Sequence, residues 1–357
     1  MRILHVDTEK GWRGGEQQLL YLAKGLKEKG FKQAVACRVG DELEKRCREE
    51  GIDVIPLKGN QSSDCLRVAA VGKKFDVIHA HSAKAHTISA LSKRFHRKPV
   101  VYTRRVDYLP RKNAITRLKY RLTDRVVAIS EAVKEILERE LPFLKGKVAV
   151  IPSAVDVEEI ERGLNPEKVK EIKEKLGGKP LIGTLAALTD QKDIPNLIGA
   201  AETVLRELPS AKFVVFGEGK LRKRLEKLIE EKGLKGQFIL YGFVRDVPNY
   251  TKALDLFVLP SRNEGLGSSL LIAMALKVPV VATAVGGTVE AVKDGETGIL
   301  VPPEDPKALS EGILKLVKDE KLRKRLTENA FHLILKKFSV STMVDSYVEL
   351  YREVKGG

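Results

Sequence analysis

The sequence predicts an α/β protein with two doubly wound, mostly parallel sheets in tandem. Three observations predict it. Short β-branched runs alternate with stretches of helical period, the pattern of successive βαβ units. The alternation breaks at a charged segment and then starts again. A chain of 357 residues with 43% hydrophobic content also exceeds what one core usually serves.

The first series runs RILHV, KQAVACRV, DVIHAH, KPVVYT, DRVVAIS and KVAVIP, separated by amphipathic stretches. A parallel sheet follows, because such crossovers return the chain in the same direction. The segment DVEEIERGLNPEKVKEIKEKLGGK, from Asp156 to Lys179, carries charge rather than strand pattern. A second series then reads PLIGTLA, AKFVVFG, QFILYG, DLFVLPS, VPVVAT and GILVP. The expected domains are 1–160 and 161–339, each with a Rossmann-like sheet. The last stretch, FSVSTMVDSYVELYREVK, places Val344, Tyr347, Val348 and Tyr351 on one helical face. A lone helix with such a face must pack on something already built.

Charge is unevenly distributed. The formal net charge is +16, and residues 1–180 supply +13 of it. Residues 84–125 hold 13 basic residues against two acids, Asp107 and Asp124. That stretch suits phosphates, acidic sugars or anionic lipid headgroups. The frequent EK and KE pairs also fit a thermophile surface. Cys37, Cys47 and Cys65 are odd in number and form no C-x-x-C, which argues against a disulfide framework and for a reducing cytoplasm. RILHV begins at residue 2, which leaves no expected signal peptide, and no apolar run approaches the roughly 18 residues of a membrane span. Nucleic-acid recognition is disfavoured: aromatic content is 6% and no recognised motif appears.

Open α/β sheets bind ligands beyond the carboxyl ends of their strands, and tandem domains create a cleft there. After the first strand, Gly14 and Gly15 open a helix, where bare amides and missing side chains admit an anion or a crowded sugar. The spacing is not G-x-G-x-x-G, so a dinucleotide fingerprint is poorly supported. DVIHAHSAKAH places His79 and His81 at a strand end, where either could exchange a proton or orient a hydroxyl, or serve only structure. A metal site completed by His86 lacks a carboxylate or thiolate at ligand spacing, so no metal is expected. Arg104 and Arg105 follow the next strand, with Lys84 nearby in sequence, and suit an anionic acceptor.

The second half repeats the arrangement. Lys192 stands where a helix begins and suits a diphosphate. Gly217-Glu218-Gly219 and Gly242-Phe243-Val244 follow later strands, and the latter backbone could read a base edge. In VLPSRNEGLGSSLLIAMA, a greasy strand stops at Glu264 and two glycines, then restarts as a greasy helix.

These residues resemble family 4 glycosyltransferases of the GT-B fold, the retaining, sugar-nucleotide-dependent type. The resemblance covers nearly the whole chain, through WRGGEQQ, DVIHAH, VVAISEAVKEIL, VIPSAVD, GTLAALTDQKD, FGEG, YGFVRDVPNY, the Glu264 segment and GETGILVPPEDPKAL. It implies two Rossmann-like domains facing across a cleft, with a C-terminal helix, 340–357, crossing back to the first. It also implies that Glu264 meets the donor sugar, Leu266 and Gly267 offer amides, and Ser268 lies under the diphosphate. Lys192 matches the phosphate lysine, His81 the histidine near the donor sugar, and Gly14-Gly15 the N-terminal glycine loop. Two positions depart from the pattern: Ile272 stands where a ribose-holding Glu is usual, and Ala187 where an Arg is common.

The expected activity is transfer of a hexose-type sugar from a nucleoside-diphosphate sugar to an anionic acceptor of lipopolysaccharide-core or glycolipid type. Retention, no metal or other cofactor, and a cytoplasmic protein peripheral on the inner membrane face complete the expectation. An epimerase or hydrolase on the same fold, or a non-catalytic sugar-nucleotide-binding protein, are the alternatives.

Overall fold

The computed structural model describes residues 1–356. In chain order its elements are β1 (Arg2–Val6), α1 (Gly14–Glu28), β2 (Lys32–Arg38), α2 (Glu42–Glu49), β3 (Asp53–Leu57), α3 (Gln61–Gly72), β4 (Val77–Ala80), α4 (Ala83–His96), β5 (Val100–Arg104), α5 (Ala114–Leu122), β6 (Arg125–Ala128), α6 (Glu131–Glu140) and β7 (Val148–Val150). There follow α7 (Val157–Arg162), α8 (Pro166–Leu176), β8 (Leu181–Leu185), α9 (Ile194–Glu207), β9 (Lys212–Phe216), α10 (Arg222–Glu231), β10 (Phe238–Gly242), α11 (Val247–Lys252) and β11 (Leu256–Leu259). The last are α12 (Ser268–Ala275), β12 (Val280–Thr283), α13 (Thr288–Ala291), β13 (Ile299–Val301), α14 (Pro306–Lys318), α15 (Glu320–Lys337) and α16 (Val340–Gly356).

The chain divides into two compact units, 1–154 with 340–357, and 155–339. The division falls six residues before the position expected from composition. Val155 is already tied to the second unit, its amide donating to the Phe338 carbonyl at 2.8 Å. Asp156 then caps α7 by accepting from the Glu159 amide, and Asn165 caps α8 ahead of Pro166.

The first unit carries a parallel sheet in the order β3-β2-β1-β4-β5-β6-β7. Six of these strands match the expected runs, and β3 is an addition to them. Its sequence, DVIPL, holds a proline and has no fully alternating pattern. Proline cannot donate to a ladder, and β3 is the sheet edge, where that omission is tolerated. The second unit has a six-stranded parallel sheet, β10-β9-β8-β11-β12-β13, matching the six expected runs. In both sheets the strand order reverses direction beside the first strand, between β1 and β4 and between β8 and β11. These switch points are where helices leave on opposite faces and open a crevice at the carboxyl ends.

Two helical layers cover the first sheet. On one side α3, α4 and α5 pack against each other; on the other, α1 packs with α2 and α16. The apolar face read for α16 is buried: Val344, Tyr347, Val348 and Tyr351 join Tyr21, Leu22 and Leu26 of α1 and the strand residues Ile3, Val77, Val101 and Val127. Gly25 permits that approach, since a Cβ there would lie 2.5 Å from Val344 Cγ2. The C-terminal helix is thus part of the first unit's core. The second core gathers Ile182, Phe213, Val215, Val258 and Val281 from the sheet with the inner faces of α9 and α14.

Candidate functional site

In the second unit, β8 and β11 are neighbours, and their carboxyl ends deliver the two side chains of greatest interest. After β8 a short 3-10 turn, Asp190–Lys192, presents Lys192. After β11 the chain runs through Ser261 to Glu264, and α12 starts at Ser268. Lys192 Nζ donates to Glu264 Oε2, and Ser261 Oγ donates to the same oxygen at 3.2 Å. The side chains are only 21% and 10% accessible, so this is a largely desolvated ion pair. Both contacts fall on Oε2.

The two loops are also laced by backbone. Arg262 N donates to the Gln191 carbonyl at 2.9 Å, and Gln191 Nε2 donates to the Asn263 carbonyl at 3.1 Å. From the other side, Thr283 Oγ1 holds the Ser261 carbonyl at 2.6 Å, and Gly287 N holds that of Glu264 at 3.0 Å. Gly286, with φ +48°, passes so close that a Cβ would collide with the Glu264 carbonyl oxygen. Gly286→Ala is therefore expected to displace the Glu264 loop. Donor-dependent turnover should fall at least about tenfold, the effect of misplacing a reacting group by under 1 Å. Turnover within about twofold of the parent would refute this coupling.

Gly267, at φ +86°, turns the loop into α12, a conformation that glycine adopts without strain. The first amides of α12 have no partner within the helix and carry its positive end, so Leu266, Gly267 and Ser268 frame an anion-receptive terminus. The Leu266 side chain is buried and Ser268 is exposed. Ile272 is half-buried within α12 and Ala187 is exposed after β8.

Gly217 and Val244 follow β9 and β10 at the same edge of the sheet, and Gly217 N bonds the Gly242 carbonyl at 2.8 Å. A Cβ on Gly217 would strike the Ala186 carbonyl, and one on Gly219 the Leu188 backbone. Close packing of neighbouring strand ends, before any ligand, demands these glycines.

In the first unit, β1 and β4 end side by side. Gly15 has open space where a Cβ would stand, so no packing contact explains it. Gly14 is the first residue of α1, and Glu16 closes the turn by accepting from the Arg13 amide at 2.8 Å. His81 lies against His79, ring centroids 3.9 Å apart, and near His5 of β1, a residue the sequence reading passed over. His5 and His79 are register partners across β1 and β4, a pairing that only the strand order makes visible.

The tautomers follow from the donors. Arg105 NH2 donates to His81 Nδ1 at 3.2 Å, because a guanidinium has no acceptor. His81 Nε2 must then carry the proton and donate to His5 Nδ1 at 3.0 Å. His5 Nε2 in turn donates to Gln33 Oε1 at 3.1 Å. His79 is equally engaged, with Tyr351 at 2.6 Å and Thr103 at 2.7 Å. His81 is thus correctly placed at a strand end, but both ring nitrogens are committed, which corrects the free acid-base role. His5, His79 and His81 bring ligand nitrogens within 4.8 Å of one another. The interlocked bonds and the Arg105 cation oppose a metal ion there. His86, stacked on Tyr102 at 3.9 Å and bonded to Thr123, is a core residue and no ligand.

The two arginines part company. Arg104 is 4% exposed, donating to Tyr120 Oη at 3.2 Å and to the Tyr108 carbonyl, with its guanidinium over the Tyr108 ring. This corrects its acceptor role: consecutive residues leave a strand on opposite faces, and Arg104 faces inward. Arg105 stays at the strand-end rim, NH1 on the His81 carbonyl at 3.2 Å. Lys84 is half-buried and donates to the Gly59 carbonyl at 2.6 Å.

Burial sets the titration of this unit. It lowers the pKa of His5 to about 4 and depresses His79, His81 and His86 well below the usual value, with neighbouring cationic groups adding to the effect for each. These folded values lie below the unfolded one, so the unfolded chain binds more protons at acid pH. Their contribution is fully present above about pH 6.5 and is lost as pH falls below it toward the folded values. Asp7 opposes them: burial, with Glu16 adding, raises its carboxyl to about 7, so its term worsens as pH rises from about 4 to 7. The four lowered histidines outnumber the two raised acids, Asp7 and Glu16, whose carboxyl burial also pushes up. The unfolding temperature should fall steadily from pH 7 to pH 5 at constant ionic strength, and a flat profile would contradict the buried network.

The fold is of the GT-B class, built of two parallel-sheet Rossmann-like domains. HepE of Anabaena, solved in complex with UDP, superposes with a TM-score of 0.87 over 99% of this chain and 100% of that one, at 22% identity. The sequence model described as Glycosyltransferase Family 4 matches residues 12–159, and that described as Glycosyl transferases group 1 matches 165–333. A glycosyltransferase of Methanocaldococcus jannaschii is 31% identical over 287 residues, 78% of this chain and 76% of that protein. The chain belongs to glycosyltransferase family 4. The UDP-Gal:alpha-D-GlcNAc-diphosphoundecaprenol alpha-1,3-galactosyltransferase of Escherichia coli is 28% identical, covering 78% of this chain and 76% of its own. The alpha-D-kanosaminyltransferase of Streptomyces kanamyceticus is 34% identical over 188 residues, 52% of this chain and 49% of that protein, so only about half its length is spanned.

Proposed function

We propose that this glycosyltransferase moves a hexose-type sugar from a nucleoside-diphosphate sugar to an anionic, lipid-linked acceptor, with retention at the anomeric carbon and without a metal. The observation that carries the reading is the Lys192–Glu264 pair beside the α12 terminus, at the switch point of the second sheet. One carboxylate oxygen remains for a sugar hydroxyl, and the ammonium and helix amides suit the departing diphosphate. These groups supply the positive charge that a metal would otherwise bring, so chelation by EDTA should leave turnover unchanged.

The contacts of the Glu264 carboxylate are Lys192 and Ser261, with no second carboxylate among them, so attack from the leaving-group face is the preferred route to retention. A trapped glycosyl adduct on Glu264 would overturn that route. On the first unit, Arg105 is the cation at the strand-end rim, held by the neutral His81–His5–Gln33 chain, and is assigned to the acceptor's negative charge. The lipid-linked acceptor accords with the diphosphoundecaprenol substrate of the Escherichia coli relative.

The test is thermal stability against UDP, GDP, ADP and CMP and their sugar conjugates, with UDP first because HepE binds it. A ligand at a hundred times its Kd adds about 2.7 kcal/mol. One nucleotide family should stabilise, with extra stabilisation from the sugar conjugate that Glu264→Ala abolishes. A second reading, a non-catalytic binding protein, is favoured by Ile272 and Ala187, which remove a ribose acceptor and a phosphate cation. Stabilisation by none of the panel would select a protein that has lost its donor site.

A further inference from the structure

Among the described residues, four of the eleven large apolar side chains left in solvent gather in one short stretch. Tyr108 is 61% exposed, Leu109 54%, Ile115 63% and Leu118 48%, all within eleven residues of the loop after β5 and of α5. An amphipathic helix on a sheet normally turns its apolar residues inward. Here α5 buries Thr116 and Tyr120 instead, and shows Ile115 and Leu118, three residues apart, to water. Arg117 and Arg121, four apart, flank that apolar face, and Arg111 is exposed just before the helix. No acid occurs from Tyr108 to Thr123. The buried Arg104 acquires a purpose in this setting: its bond to the Tyr108 carbonyl and its stacking on that ring hold the loop with Tyr108 and Leu109 turned outward.

We propose that the Tyr108–Leu109 loop and the outer face of α5 form a docking surface for an anionic lipid bilayer, with Ile115 and Leu118 entering the interface and Arg111 and Arg117 meeting headgroup phosphates. The pairing of apolar and cationic groups on one short helix is what an interfacial anchor needs. Charge decides against a second copy of the chain as occupant. A two-fold contact would set the same arginines against each other, and Glu140, the carboxylate that reaches this stretch, is already paired with Lys112 and Arg139. The surface rests on the proposed lipid-linked acceptor and extends it: the loop follows directly from Arg105, so a lipid-borne acceptor held by the bilayer would be delivered beside that cation.

The experiment is flotation of the full chain with phosphatidylcholine vesicles, with and without phosphatidylglycerol, at low and high salt. The wild type should partition at least about tenfold more strongly onto the anionic vesicles, and salt should weaken it. The pair Ile115→Ser with Leu118→Ser, and separately Arg111→Ser with Arg117→Ser, should each lower that partition about tenfold, while melting temperature and nucleotide-induced stabilisation stay as in the wild type. Equal partition onto neutral and anionic vesicles, or variants that float like the wild type, overturns the proposal. So does a change from dimer to monomer in the apolar variant with flotation unaltered, which would assign the face to self-association. The two readings fail separately: anionic flotation without transfer from any donor removes the enzyme reading and keeps the surface, whereas transfer to a lipid-free acceptor without flotation does the reverse.

Discussion

Glu264→Ala is expected to lower sugar transfer by about 10²–10³ while leaving binding of the free nucleoside diphosphate intact or tighter. A preorganised group that meets the reacting sugar is worth about that much. The second half of the expectation comes from the ion pair. Before donor arrives, Lys192 is spent on Glu264 Oε2, and a diphosphate must compete for it. Deleting the carboxylate frees the ammonium, so the phosphate site gains what the sugar site loses. Lys192→Ala should behave oppositely, weakening donor and free diphosphate alike by about tenfold or more, as loss of a charge-assisted contact does. Stability should fall by about 1–2 kcal/mol in either variant, less than the 3–5 kcal/mol of a wholly buried pair, because the Lys192 side chain keeps some water contact. Calorimetric titration with the nucleoside diphosphate, run beside a transfer assay, separates the cases. Transfer within about threefold of wild type in Glu264→Ala would remove Glu264 from the sugar site.

Tyr351→Ala should unfold the first unit selectively. The ring is fully buried against the sheet, and its hydroxyl bonds His79 Nδ1 at 2.6 Å. Truncation of such an aromatic costs about 3–5 kcal/mol, a large share of an ordinary domain's stability. Tyr351→Phe keeps the ring and removes only the bond, leaving His79 with one buried nitrogen unpaired, at about 1–3 kcal/mol. Since each unit has its own sheet and core, scanning calorimetry should show two transitions, with only one displaced. If both transitions moved together, or neither did, α16 would not be the structural member of the first unit that its packing makes it.

The strand pattern was legible because period-2 and period-3.6 hydrophobicity report burial relative to each element's own axis. It failed at β3, where Pro56 and polar flanks conceal an edge strand that needs no complete ladder. The candidate donor site was legible for a related reason. Glu264, Gly267 and Lys192 stand at strand ends, where chain punctuation is local and visible. The sequence did not reveal that Lys192 and Glu264 hold each other, for they are 72 residues apart and meet only because β8 and β11 are adjacent. His5 was overlooked for the same reason, since nothing near it in sequence marks it as a partner of His81.

By itself, the sequence determined the two parallel sheets, the strand-end position of the glycine loops and charged groups, and the concentration of positive charge in residues 84–125. All of these are properties of a residue and its near neighbours. Only the tertiary structure decided that Arg104 is a buried strut while Arg105 is a half-buried cation at the strand-end rim, that His81 is neutral and fully bonded, that Gly217 is required by packing, and that Ile115 and Leu118 face water. Each of those depends on which strands and helices lie side by side, and burial and hydrogen-bond partners across a sheet follow from that order, which no local pattern encodes.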